Sequence, residues 1–328
     1  MERNLAKRAL QAGGVVKPMI IPSSETRGSG LCNPSVFIDD NGEILVIIRN
    51  VNYDFFHLEH DKRFANWATS WLIYLHREDD VRLHTFNFLA KLNEDLDIEW
   101  YHKIDTSELD VEPIWEFVGL EDARLFRWDG TLYGSGVRRD TTDYGQGRME
   151  LSELQVTPGA VREVKRNRIE VPFDPDSYCE KNWMPILDKP FHYIKWANPT
   201  QVVKVSDDRN SCEVVYQSER TVPDTYGFRG GSQVIRVPEG YLAIVHETNF
   251  GYNEHGTKNA AYPHRFVMWD ENFEIIKTSE NFHFMDSEIE FCCGLADHGD
   301  NFLITYGNQD NTAYVMSIPK QAVYEFIG

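Results

Sequence analysis

The sequence predicts an all-β protein, a five-bladed β-propeller around a central channel, with residues 1–328 as one domain. Three observations carry that expectation. Apolar and polar residues alternate in short runs along the chain, long helical periodicity is scarce, and one hairpin pattern recurs five times. The hairpins are NPSVFIDDNGEILVIIRN (33–50), EDARLFRWDGTLYGSGVR (121–138), KNWMPILDKPFHYIKWAN (181–198), GGSQVIRVPEGYLAIVHET (230–248) and CGLADHGDNFLITYGNQD (293–310). Each opens polar, runs apolar, turns, returns apolar and closes polar. An irregular β-sandwich is the competing architecture.

Taken in order, the first dozen residues read as a short helix, and 1–25 form an N-terminal extension that packs on or closes the propeller. Four of the hairpin turns carry Asn-Gly, Asp-Gly, Glu-Gly or Gly-Asp, and the third uses Asp-Lys-Pro, all residues suited to tight reversals. Part of 59–76 has helical spacing. The runs 202–205, 212–216 and 265–269 read as further strands outside the hairpins.

Composition narrows the function. At 41 % hydrophobic and 13 % aromatic the chain can bury a core, so it is globular. A net charge of −19 argues against nucleic acid or a membrane surface as the partner, since both are anionic. The N-terminal MERNLAKRALQAGGVVKPMI holds no signal-like apolar run, and nowhere do about 18 apolar residues follow one another. The expected location is therefore the cytoplasm. Cys32, Cys179, Cys212, Cys292 and Cys293 form no CxxC pair and read as reduced thiols, the vicinal Cys292-Cys293 as small buried groups. HLEH at 57–60 lacks a third ligand at a telling spacing, so no metal is expected.

A hairpin brings the start of its first strand beside the end of its second. Each repeat then delivers its opening and closing residues to one rim. The rims collect Asn33 with Arg49, Glu121 and Asp122 with Arg138 and Arg139, Lys181 and Asn182 with Asn198, Arg229 with His246 and Glu247, and Cys293 with Gln309 and Asp310. Carboxylates, cations and amides there, on a scaffold of Val, Ile, Leu, Phe and Tyr, describe one polar pocket. Such a set suits a polyhydroxylated, partly anionic ligand, with hydroxyls on Asp and Asn and a phosphate on Arg and Lys. Trp115, Trp183 and Phe228 lie near the rims and are candidates to pack on a sugar face or to fill the core. Adjacent strand residues point to opposite faces, so Glu121 and Asp122 are not expected to act as a pair, and one of them is expected to turn towards Arg124. With phosphate as nucleophile a single acid suffices to protonate the leaving oxygen.

The ordered pattern NPS…RN, GLEDAR…YGSGVRR, EKNW, GGSQVI…GYLAIVHE and CG…YGNQD resembles the β-mannoside phosphorylases of glycoside hydrolase family 130 and the related β-1,2-mannosyltransferase/phosphorylases, from about residue 30 to 315. The resemblance implies a five-bladed propeller with its active site in the central channel. It also implies an inverting transfer of a mannosyl or similar unit between a β-linked oligosaccharide and phosphate. The family's single catalytic acid, thought to pass its proton through a sugar hydroxyl, matches Asp122. Its sugar-contacting positions match Asn33, Arg49 and Asp310, with Glu121 and Arg124 beside them as further substrate-binding candidates. Its phosphate-binding Arg, Lys and His match Arg148, at the start of a third strand, Lys181 and His246, with Arg138 and Arg139 as further phosphate candidates. No cofactor is implied beyond inorganic phosphate or a sugar 1-phosphate as co-substrate; the partners are the oligosaccharide or sugar phosphate and, as an open option, a second copy of the chain. Ala123 stands where the family usually has Pro, and the surroundings of Arg138-Arg139 and Phe228-Arg229 differ from the commonest members. The retained cationic set argues against a purely hydrolytic member. A sugar-nucleotide-dependent transferase and a non-catalytic carbohydrate-binding propeller remain open, as does the acceptor, for which the loops 51–70 and 249–265 are candidates.

Overall fold

The computed structural model describes residues 3–57, 72–76, 82–222, 227–252, 258–287 and 289–328. The architecture is all-β. Leu31–Ile38, Ile44–Val51, Leu83–Leu92 and Ile98–Asp105 pair as one antiparallel meander. Glu121–Trp128, Thr131–Arg138, Arg148–Thr157 and Ala160–Arg168 form the next. The two merge into a larger sheet where Ile104 pairs in parallel with Val161. A third meander runs Met184–Pro185, His192–Ala197, Thr200–Val205 and Cys212–Gln217. In the fourth, Gly240–His246 lies between Arg229–Gly230 with Ile235–Val237 on one side and His264–Trp269 on the other, and Ile275–Thr278 forms the outer edge. The last sheet holds Glu290–His298, Asn301–Asn308 and Thr312–Pro319, and its outer edge is Val15–Met19 from the other end of the chain, with Val15 opposite Ser317. The N-terminal segment thus completes the C-terminal sheet.

Local chemistry accounts for these elements. Asp129 and Gly130 both take positive φ, 48° and 79°, the pattern of a primed two-residue turn whose twist matches its flanking strands. Inward-facing residues then pack between sheets. Trp128 of the second meander lies 5.2 Å from Tyr193 of the third, ring centre to ring centre, and its Nε1 donates to the Ile186 carbonyl. Where the first two meanders, the fourth and the last sheet meet sits the buried amide of Gln233. Its Nε2 donates to the carbonyls of Val36 and Leu125 at 2.8 and 2.7 Å, and its Oε1 accepts from the Leu295 amide at 3.1 Å. A buried amide with both ends satisfied fixes how the sheets converge.

Helix Leu5–Gln11 falls where expected, capped by Asn4, whose Oδ1 accepts from the Lys7 amide. The helical expectation for part of 59–76 fails over Leu72–His76, which is a strand paired with Tyr53–His57. Residues 58–71, including 58–60 of HLEH, lie outside the described residues. The C-terminal helix, Lys320–Ile327, packs Val323 and Phe326 into the core beside Leu5 and Ala9. No helix among the described residues is long and apolar enough to cross a membrane.

Candidate active site

Three hairpins open on a residue in left-handed backbone conformation: Asn33 at φ 43°, Asp122 at 50° and Asn182 at 62°. Asn and Asp enter this region at less cost than most side chains. In the first two hairpins the pairing slips at that residue. Cys32 pairs with Arg49 but Ser35 with Ile47, and Glu121 pairs with Val137 but Arg124 with Ser135. Such bulges re-aim side chains at a rim. They also break strict alternation, which corrects the expectation that Glu121 and Asp122 diverge. Arg49 reaches both, donating from Nη1 to Asp122 Oδ1 at 2.8 Å and bringing Nη2 to 3.8 Å from Glu121 Oε2.

Arg49 is itself held. Its Nε donates to Thr85 Oγ1 at 3.2 Å and its Nη2 to the Tyr53 hydroxyl at 3.0 Å. The Asn33 amide donates to Asp122 Oδ1 at 2.8 Å and lies 3.4 Å from Oδ1 of Asp310, which comes from the last sheet with φ 48°. Three carboxylates from two sheets therefore surround one guanidinium and one amide. Their protons divide unequally. Burial raises the Asp122 carboxyl, but the Arg49 and Arg124 guanidiniums, the Asn33 hydrogen bond and Lys181 outweigh it and hold Asp122 below the ordinary Asp value. Burial dominates at Asp310, Arg49 opposes it, and the charges of Asp122 and Glu121 add to it, pushing Asp310 up to about 6. Glu121 is also raised, mainly by burial, against the pull of Arg49. The arrangement stores an ionised Asp122 beside two carboxyls that titrate higher.

Cations stand within electrostatic reach of this cluster. Lys181 is exposed and helps to lower both Glu121 and Asp122, so it lies within electrostatic reach of the carboxylates. Arg139, half-buried, acts on Glu121 as well. Its guanidinium donates to the Gly145 carbonyl and the Tyr178 hydroxyl and lies over the rings of Phe117 and Tyr178, at 5.1 and 5.4 Å. His246, paired across the strands with Arg229, is buried with its Nδ1 unpartnered. Burial, then the charges of Arg124, Lys181 and Arg229, push its imidazole down to about 3. It offers an anion a neutral ring, not a positive charge.

Other sequence-based candidates have different places. Arg148 is buried and donates to the carbonyls of Gly147, Ser177 and Pro175 at 2.9, 2.8 and 3.2 Å, with Glu170 against its Nε. It pins the 175–177 turn, and these bonds occupy the guanidinium that phosphate would need. Arg138 is buried between Glu150 and Asp140, at 2.8 and 3.2 Å. Arg124 is buried too, donating to the carbonyls of Gly231 and Asp122, so it acts on the Asp122 carboxyl by field and not by a side-chain bond. Trp183 and Phe228 are core residues. Sequence reasoning missed Thr85 and Tyr53, which orient Arg49. Thr85 lies near the start of its sheet's third strand, as Arg148 does in the next, and that shared position was the available signal.

Comparison with family models and with curated proteins finds no match. Solved structures do match across nearly the whole chain. A β-1,2-mannobiose phosphorylase from Listeria innocua, in complex with β-1,2-mannobiose, superposes with TM-score 0.55 at 14 % identity, over 91 % of this chain and 92 % of that one. A mannose phosphorylase from Leishmania mexicana, in complex with phosphate ion, gives 0.52 at 12 %, over 96 % and 92 %. The chain shares their fold. A GDP-Man-dependent mannosyltransferase from the same organism is similar to the same degree, TM-score 0.52 at 13 % identity over 93 % and 90 %. These folds are those of the proteins that the motif order resembles.

Proposed function

We propose that the chain is a glycoside phosphorylase or closely related glycosyltransferase on a five-bladed propeller, moving a mannosyl or similar unit between a β-linked oligosaccharide and phosphate with Asp122 as acid. The five blades are the meanders described above, the larger sheet counting as two joined at their outer strands. The observation that carries the reading is the convergence of Asn33, Arg49, Asp122 and Asp310 within electrostatic reach of Lys181. A phosphate oxygen held by Lys181 and Arg139, with His246 donating as a neutral ring, attacks the anomeric carbon from the face opposite the leaving sugar. The bond to the leaving oxygen breaks as that oxygen receives a proton originating at Asp122, so the configuration inverts and a sugar 1-phosphate forms. Asn33, Arg49 and Asp310 bind the sugar's hydroxyls. Arg138, Arg148 and Arg124 are positioning residues in this reading.

A second reading, transfer from a sugar nucleotide, is favoured by the equal likeness to the Leishmania transferase. Incubating the purified protein with a panel of β-mannosides and inorganic phosphate, and separately with GDP-mannose and acceptors, separates the two. Phosphate-dependent release of mannose 1-phosphate is expected. Product from GDP-mannose alone would move the assignment to the second reading, and free mannose without phosphate would make the protein a hydrolase. No product in any arm, with a known β-mannoside phosphorylase reacting as control, would leave a sugar-binding propeller without the chemistry.

A further inference from the structure

Between the first two meanders lies a cavity of about 710 Å³ that none of Asn33, Asp122, Lys181, His246 or Asp310 lines. Its acids have cationic partners: Asp110 and Glu163 pair with Arg166, Asp140 pairs with Arg138, and Asp105, at the exposed edge, lies 3.9 Å from Arg162. Two of its cations differ. Among the described residues no carboxylate pairs with Arg27 or Lys103; Lys103, an exposed residue, lies over the Phe86 ring at 3.9 Å, and partial desolvation there, together with the nearby Arg27 charge, holds its ammonium below the ordinary value. Two like charges on one cavity wall, within electrostatic reach of each other and without a counterion, leave a place for an anion. The same cavity carries unmet acceptors. Asp140 is buried with Oδ1 lacking a hydrogen-bond partner, although its Oδ2 accepts from the Gly119 amide, and Oδ1 of Asn87 also lacks one. His84 and Phe86 stack nearly parallel along the wall, 5.8 Å apart, and offer an aromatic surface. Cations at one part, acceptors for hydroxyl donors at another and a flat apolar face match a phosphorylated sugar better than a bare ion or a neutral sugar.

We propose that this inter-sheet cavity is a second ligand site, separate from the candidate active site, for a small polyhydroxylated anion of the sugar-phosphate class, its phosphate on Arg27 and Lys103 and its hydroxyls on Asn87 and Asp140. Its wall adjoins the active-site supports. Thr85, which lines it, accepts from Arg49, and Asn87 donates to the carbonyl of Leu120, one residue before Glu121.

The test is calorimetric titration of a Lys181→Met background, in which the cations that would hold an anion at the central site are weakened, so the outcome does not depend on the proposed function. The probes are a hexose 6-phosphate, the corresponding free hexose and inorganic phosphate. The hexose phosphate should bind at least about tenfold tighter than either fragment, and adding Lys103→Met or Arg27→Met should weaken it by about tenfold, the scale of one charge-assisted hydrogen bond. Both substitutions are at exposed positions and should leave the fold intact. Unchanged affinity in both variants, equal affinity for inorganic phosphate, or no binding of any probe would overturn the assignment.

Discussion

Replacing Asp122 by Asn tests the centre of the argument. Asn tolerates the left-handed φ of 50° as Asp does, and its side-chain oxygen can still accept from the Asn33 amide. What it removes is the charge that accepts from Arg49 and the proton that reaches the leaving oxygen. Arg49 keeps Glu121, Tyr53 and Thr85, so the stability loss should be no more than that of one hydrogen bond to a charged group, about 1.5–3 kcal/mol. Loss of a general acid costs about 10²–10⁴ in turnover, or roughly 2.7–5.4 kcal/mol of barrier. The assay is phosphate-dependent release of sugar 1-phosphate under saturating substrate, with circular dichroism to confirm folding. A second readout is the titration of Asp310, which should fall from about 6 because the Asp122 charge is among those that raise it. A folded variant that keeps wild-type phosphate-dependent turnover would refute the reasoning.

Other expectations are simpler. Lys181→Met should raise the phosphate KM by about tenfold or more with little change in melting temperature, since the side chain is exposed and its loss removes only one cation contact. Arg148→Met should do the reverse: three carbonyls lose a donor, at about 1 kcal/mol or more each, so thermal unfolding should show a loss of roughly 3 kcal/mol while the phosphate KM stays put. Asp310 accepts sugar hydroxyls best when ionised, so sugar affinity should rise as pH rises through about 6, and calorimetry on Asp310→Asn should lose that dependence.

Much of the scaffold was legible because its signals are local. Turn pairs such as Asp129-Gly130 and two-residue alternation depend on neighbours a few positions away, and the five hairpins follow from them. The repeated polar opening of each hairpin was also visible, and the structure gives its cause in the first two, where the polar residue occupies a bulge. The bulge itself was not visible, so alternation was wrongly extended through Glu121 and Asp122. Arg148 was misjudged for a non-local reason. Nothing in YGQGRMEL reveals that carbonyls from 175–177 fold over its guanidinium, whereas Arg139, nine residues earlier, remains beside the carboxylates. His246 was counted as a cation because burial, which keeps it neutral, belongs to the assembled fold and not to AIVHE.

The charge arrangement has a further consequence. Lys181 is one of the groups that hold Asp122 ionised, yet an acid must carry its proton when the leaving oxygen needs it. An anion arriving at Lys181 and Arg139 cancels part of that field and adds its own, so Asp122, Glu121 and Asp310 should all titrate higher once it is bound. Linkage makes the effect reciprocal: if the bound anion raises these values, its binding takes up protons, and acid strengthens its binding. Sulfate is the suitable probe, because it does not itself titrate near neutrality. Calorimetry at about pH 5–6, in buffers of differing ionisation enthalpy, should show proton uptake on sulfate binding, close to where Asp310 titrates. The uptake should shrink in Asp310→Asn and again in Asp122→Asn. Sulfate binding with no proton uptake in the wild-type protein would mean that the cations and the carboxylates act independently, and the co-substrate would then have no part in protonating the acid.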